Sequence, residues 1–115
     1  MKVKMYHNPK CSKSRETLSL LMEKGIEPEI IEYLKTPPDA EELKAILAML
    51  DKSPRELMRT KESVYKEKNL DDGSLDNTAL ISAMVTDPIL IERPIVIAND
   101  KAAIGRPPEN VLEIL

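Results

Sequence analysis

Tryptophan and phenylalanine are absent from this 115-residue chain, which holds one cysteine, one histidine and three glycines. Without the large aromatics, a core must be assembled from Leu, Ile, Val and Met, and an apolar content of 42% supplies it. One cysteine cannot close an intramolecular disulfide, so redox chemistry would need a second thiol from another molecule. No apolar run approaches the roughly eighteen residues of a membrane span, and no long apolar stretch of the secretory kind opens the chain. A cytoplasmic protein with no membrane partner is expected. Positive charge is not in excess either: 17 Lys and Arg against 20 Asp and Glu leave a net charge of −3, which speaks against nucleic acid as a partner. An anionic ligand would have to be captured by local arginines. The length suits one domain, residues 1–115, and is too short for two.

The one cysteine and the one histidine stand together in His7-Asn8-Pro9-Lys10-Cys11-Ser12-Lys13-Ser14-Arg15. Before this stretch, Lys2 to Tyr6 alternates polar and apolar residues and predicts a half-buried strand. After it, Leu18, Leu21 and Met22 at helical spacing, with Gly25 as a left-handed stop, predict a helix from about Ser12 to Lys24. Cys11 is thereby placed at a helix N-terminus, where unpaired N–H groups and the dipole favour a thiolate. Lys10, Lys13 and Arg15 add positive charge, the Ser14 hydroxyl could donate to the sulfur, and a cationic His7 would help keep it charged. A lowered Cys11 pKa is expected. The bland alternative is a small buried hydrophobe, which the basic surroundings oppose.

Pro28 to Tyr33 predicts a second strand, parallel to the first through a right-handed crossover. Thr36-Pro37-Pro38 breaks the pattern, and Asp39 with Glu42 caps an amphipathic helix carrying Leu43, Ile46, Leu47 and Leu50. Ser53-Pro54-Arg55-Glu56 opens a short helix ending near Arg59, residues 60–75 read as a loop with a turn around Val64 to Lys68, and Asp76 caps a helix over Asn77 to Thr86. Residues 36–88 thus form a helical insertion. Ile95 to Ala98 and Lys101 to Ile104 predict a hairpin about Asn99-Asp100, and Pro107-Pro108-Glu109 opens a C-terminal helix with Val111, Leu112 and Leu115 on one side. The order predicts an α/β fold, one mixed sheet covered by helices.

Arg93-Pro94 and Arg106-Pro107 each hold an arginine in extended backbone, which pre-aims a guanidinium of the kind that suits oxyanions. Most arginines are solvated or ion-paired, and Arg55 is taken as surface. Pro94 is either a cis proline or a trans one that starts a strand.

The set His7-Asn8-Pro9, Cys11-x-x-Ser14-Arg15, Arg59, Ile91-x-Arg93-Pro94-Ile95-Val96 and Gly105-Arg106-Pro107 resembles the glutathione- and glutaredoxin-coupled arsenate reductases of the ArsC family, over essentially the whole chain. The resemblance implies a thioredoxin-like fold, a mixed four-stranded sheet with flanking helices and a helical insertion, and a cis Pro94 opposite the cysteine loop. It implies Cys11 as nucleophile on arsenate, Arg59, Arg93 and Arg106 as anion ligands, and His7 and Ser14 as thiolate support. Glutathione would be the reducing co-substrate and glutaredoxin the partner, with no metal and no bound cofactor, in a cytoplasmic monomer serving arsenic resistance. The chain departs from arsenate-reducing members after the cysteine, where Ser12 and Lys13 replace small uncharged residues. Two other readings share the scaffold: a thiol oxidoreductase of another substrate, and a regulator like the Spx proteins. The latter would carry a Cys-x-x-Cys switch, which Ser14 rules out.

Overall fold

Alternation at the start of the chain becomes a strand in the computed structural model, which describes residues 2–115: β1 (Val3–His7) buries Val3 and Met5 as their spacing predicts. Tyr6 and His7 are buried as well, because β1 lies inside the sheet. It pairs in parallel with β2 (Glu29–Glu32) and antiparallel with β3 (Ile95–Ala98), while β4 (Lys101–Ile104) lies antiparallel on β3. The sheet order is β2-β1-β3-β4. Asn99 and Asp100 turn the β3-β4 hairpin with φ of 54° and 61°, the left-handed pair that a two-residue hairpin requires. This thioredoxin-like sheet belongs to one of two compact units, formed by the stretch that ends at Thr36 together with Arg93–Leu115.

The crossover from β1 to β2 is α1 (Ser12–Glu23). Gly25, at φ 77°, ends it: the Gly25 N–H donates to Met22 O and the Ile26 N–H to Leu21 O, the paired bonds of a Schellman motif. The buried face differs from the expected one. Ser14, Thr17 and Leu21 are buried, Leu18 is half-buried, and Met22 is 59% exposed. Small polar side chains face inward because the chain approaches closely there: a Cβ on Gly105 would strike the Thr17 side chain and come within 2.8 Å of the Pro94 ring. Further along, Leu21 joins Val3, Met5, Val96, Ala98, Val111 and Ile114 in the core. The C-terminal element, residues Pro108–Ile114, is a 3₁₀ helix rather than an α-helix. Its three-residue repeat buries Pro108 and Ile114 beside the expected Val111, in place of Leu112 and Leu115.

The second unit is Pro37–Glu92. Its α2 (Ala40–Leu50) starts at Asp39, whose side chain accepts from the Glu42 N–H, and buries Leu43, Ile46 and Leu47. A capping box of Ser53 and Glu56 starts α3 (Pro54–Leu57). That helix stops before Arg59 because Met58 turns extended and bridges Ile91, with the Arg59 N–H on Leu90 O at 2.7 Å and the Glu92 N–H on Leu57 O at 2.9 Å. The expected loop contains a short helix, α4 (Ser63–Glu67), with Tyr65 buried. Arg55 is no idle surface residue: its guanidinium donates to Tyr65 Oη at 2.7 Å, Leu70 O at 2.7 Å and Asp72 O at 3.1 Å, tying the segment after α4 to α3. Finally α5 (Asn77–Thr86), capped by Asp76, packs Leu80, Ile81 and Met84 inward. No helix among the described residues is long and apolar enough to cross a membrane.

Candidate functional site

Cys11 is the N-cap residue of α1, with extended backbone at φ −93° and ψ 124°. Its N–H donates to Asn8 O and its carbonyl accepts from the Arg15 N–H, both at 3.0 Å. Asn8 Oδ1 accepts from the Lys10 N–H at 3.0 Å, and Arg15 Nη1 donates to Pro9 O at 3.1 Å, so the loop into the helix is held on both sides. The sulfur stands where the oxygen of a capping side chain would be, facing the first free N–H groups of the helix. Cys11 is 8% exposed. Burial pushes its thiol up, but the Ser14 N–H, a hydrogen bond and the charge from Arg93, and the Lys13 N–H outweigh burial and hold it below the ordinary thiol value.

Arg106 Nη2 also donates to Cys11 Sγ, at 3.4 Å. Its guanidinium is aimed by a second bond, from Nε to Arg93 O at 2.8 Å, and the Arg106 carbonyl accepts from Asn110 Nδ2 at 3.0 Å. The Arg93–Pro94 and Arg106–Pro107 peptides are both cis. Pro94 O accepts the Gly105 N–H at 2.9 Å, which joins the two arginine-proline turns across the start of β3 and the end of β4. Two guanidinium groups thus converge on one sulfur, an arrangement able to bind an oxyanion where a thiolate can attack it.

His7 and Ser14 lie on the inner side of this loop, both buried. His7 Nδ1 and Ser14 Oγ are hydrogen-bonded at 2.6 Å, and Ser14 Oγ accepts from the Asn8 N–H at 3.0 Å. Burial lowers the His7 pKa, Glu32 raises it and Arg15 lowers it, with a net value below the ordinary one. That direction favours the neutral imidazole and runs against the cationic support expected of His7. Ser14 reaches the sulfur through its backbone N–H, while its hydroxyl bonds His7 and Asn8. Asn8, part of the His7-Asn8-Pro9 motif but given no role of its own by the sequence, is a buried member of the site; its signal is the Asn-Pro-Lys turn, in which a side-chain oxygen takes an N–H two residues on.

Arg59 belongs to the second unit. There its Nη1 bonds Glu92 Oε1 at 2.8 Å and its Nε bonds Glu62 Oε2 at 3.3 Å, with the side chain 23% exposed. Burial lowers the Arg59 pKa, but the two carboxylates outweigh that and raise it above the ordinary value. Neither Glu62 nor Glu92 stands out in the sequence. Among the described residues no group of His, Cys, Asp and Glu could hold a metal ion.

A thioredoxin-like sheet, a cysteine of lowered pKa at the N-terminus of its first helix and arginines aimed at its sulfur define the class: a thioredoxin-like protein with a single cysteine at the head of that helix. The sequence profile of the ArsC family matches residues 6–114, and the chain belongs to the ArsC family. It is 64% identical over 114 residues to the Uncharacterized protein YfgD of Escherichia coli K12, covering 98% of this chain and 96% of that one. To an arsenate reductase of Neisseria meningitidis serogroup A it is 54% identical over 114 residues, covering 98% and 97%. The structure of an arsenate reductase from Vibrio cholerae superposes with a TM-score of 0.98 at 57% identity, covering 100% of this chain and 98% of that one.

Proposed function

We propose that this chain is an arsenate reductase in which Cys11 is the nucleophile and glutathione and glutaredoxin supply the reducing thiols. The observation that carries the reading is the Arg106 guanidinium on the Cys11 sulfur at 3.4 Å, beside Arg93, at a thiol already favoured as thiolate. Relatives named arsenate reductase, alike over nearly their whole length, support the choice of oxyanion. In this reading Arg93 and Arg106 hold arsenate. Arg59 is assigned as a third anion ligand on the family resemblance alone. The protein works as a cytoplasmic monomer, a single ArsC-type domain with its helical insertion, and needs no metal or bound cofactor.

The thiolate of Cys11 attacks arsenic, the S–As bond forms and one arsenate oxygen leaves as water after protonation. Charge on the remaining oxygens is met by the guanidinium donors. A glutathione thiolate then attacks the Cys11 sulfur. The S–As bond breaks, its electron pair stays on arsenic as As(III), and a Cys11-glutathione disulfide is left. A glutaredoxin thiolate takes over the glutathionyl sulfur and returns Cys11 as thiolate. The two electrons come from two thiols, of which this chain owns one. His7 and Ser14 are assigned as supports that fix the loop and hence the N–H groups beneath the sulfur.

The test is arsenate-dependent NADPH oxidation with glutathione, glutaredoxin and glutathione reductase. Turnover that saturates with arsenate and vanishes in Cys11→Ser is expected. An intact, reactive Cys11 without turnover would transfer the site to another substrate.

A further inference from the structure

We infer that the groove between α1 and the Arg106–Pro107 turn seats the peptide body of glutathione, with Lys13 as one of its carboxylate ligands; this rests on the proposal that glutathione reduces the Cys11 adduct. The groove has a volume of ≈ 570 Å³, and its walls include Ser12, Lys13, Arg15, Glu16, Pro107 and Glu109. Ser12 directly follows Cys11, and Pro107 directly follows Arg106, whose guanidinium is bonded to the Cys11 sulfur. A molecule lying in the groove therefore touches the chain neighbours of both the Cys11 sulfur and the guanidinium bonded to it.

Size and charge select the occupant. Small-ligand pockets enclose roughly 300–1,000 Å³, and this groove falls in that range. The cavity on the other side of the cysteine loop, walled by His7, Lys10, Glu32 and Lys35 among others, has only ≈ 220 Å³, too little for a tripeptide. Glutathione carries a carboxylate at each end and an ammonium at one, with two amides between. The groove presents Lys13 and Arg15 as cations, Glu16 and Glu109 as anions, and the Ser12 hydroxyl for an amide. Arg15 is anchored to Pro9 O and can receive a ligand without losing its place. Lys13 pairs with Glu16 at 3.3 Å, with side chains 44% and 54% exposed, so its present bond is weak and a ligand carboxylate can displace it. The thiol, on the central residue of the tripeptide, then reaches from the groove toward Cys11, the approach that attack on the sulfur requires.

S-methylglutathione keeps both carboxylates and the ammonium but has no thiol to exchange, and it is the probe. Titrated into the ¹⁵N-labelled protein, it is expected to give saturable shifts at the Ser12, Glu16 and Glu109 amides, with affinity weakened about fivefold in Lys13→Glu. Shifts centred on Lys10 and Lys35, no saturable shift, or an affinity that Lys13→Glu leaves untouched would each overturn the groove. The titration uses no arsenate, so the two failures separate. Groove binding without arsenate turnover keeps the groove and removes arsenate as substrate, whereas turnover with glutathione and no groove shifts does the reverse.

Discussion

At the scale of single residues the proposed chemistry rests on one sulfur and the groups that lower its pKa. Because the folded Cys11 pKa lies below the unfolded one, alkylation of the folded protein by iodoacetamide is expected to reach its half-maximal rate at a lower pH than in denaturant. Coincident curves would return Cys11 to the inert-core reading. The same depression adds stability that is full above the unfolded thiol range and is lost as pH falls through the folded value. His7, also depressed, acts in the same direction lower down: its unfolded form takes up protons first, so stability falls as pH drops below 6.5. Arg93→Ala and Arg106→Ala are each expected to raise the arsenate KM and to lower kcat/KM by about a hundredfold, since charge grows on the oxygens during transfer. Unchanged kinetics in both would remove the clamp. Cys11 and the two arginines are legible in the sequence because residue type and neighbours, a helix start and a following proline, already constrain them. The shift at His7 is not, because its largest cause is burial, which the local sequence does not display.

At the scale of elements, helix starts and turns are readable and helix faces less so. Asp39, Ser53 and Asp76 cap where their spacing predicts, and Asn99-Asp100 turns the hairpin, since these signals act within a few residues. The inward face of α1 escapes the pattern because apolar spacing points to Met22, whereas the neighbour to be met is the backbone at Gly105. Gly105→Ala tests that close approach. A methyl there overlaps Thr17 and crowds Pro94, so a loss of about 1–3 kcal/mol in urea unfolding is expected, together with slower turnover as the Arg106 turn shifts. In the second unit, the polar segment after Arg59 reads as a loop because its order comes from outside it, through the three bonds of Arg55. Arg55→Ala is expected to destabilise the protein by about 2 kcal/mol and to speed hydrogen exchange from Tyr65 to Asp72. Exchange unchanged over that stretch would return Arg55 to the role of a surface residue.

For the whole molecule the governing fact is the count of thiols. Converting As(V) to As(III) takes two electrons, and one chain with one cysteine can donate one thiol sulfur to a disulfide. No rearrangement of the fold changes that arithmetic, which follows from composition alone. A chain with a resolving cysteine would release one arsenite per copy without help. This chain, mixed with arsenate in the absence of any other thiol, is expected to release none and to stop at the Cys11 adduct. Adding glutathione should then release arsenite in proportion to the adduct and leave a mixed disulfide of matching mass. Quenched samples analysed for arsenite and by intact mass spectrometry check both statements. A yield of half an equivalent, with a disulfide-linked pair of chains, would mean that a second copy supplies the thiol and that the external reductant is dispensable for the first turnover. The burial of Cys11 opposes that outcome: at 8% exposure, beneath two arginine turns, its sulfur is reached far more easily by a tripeptide than by a sulfur equally buried in another copy.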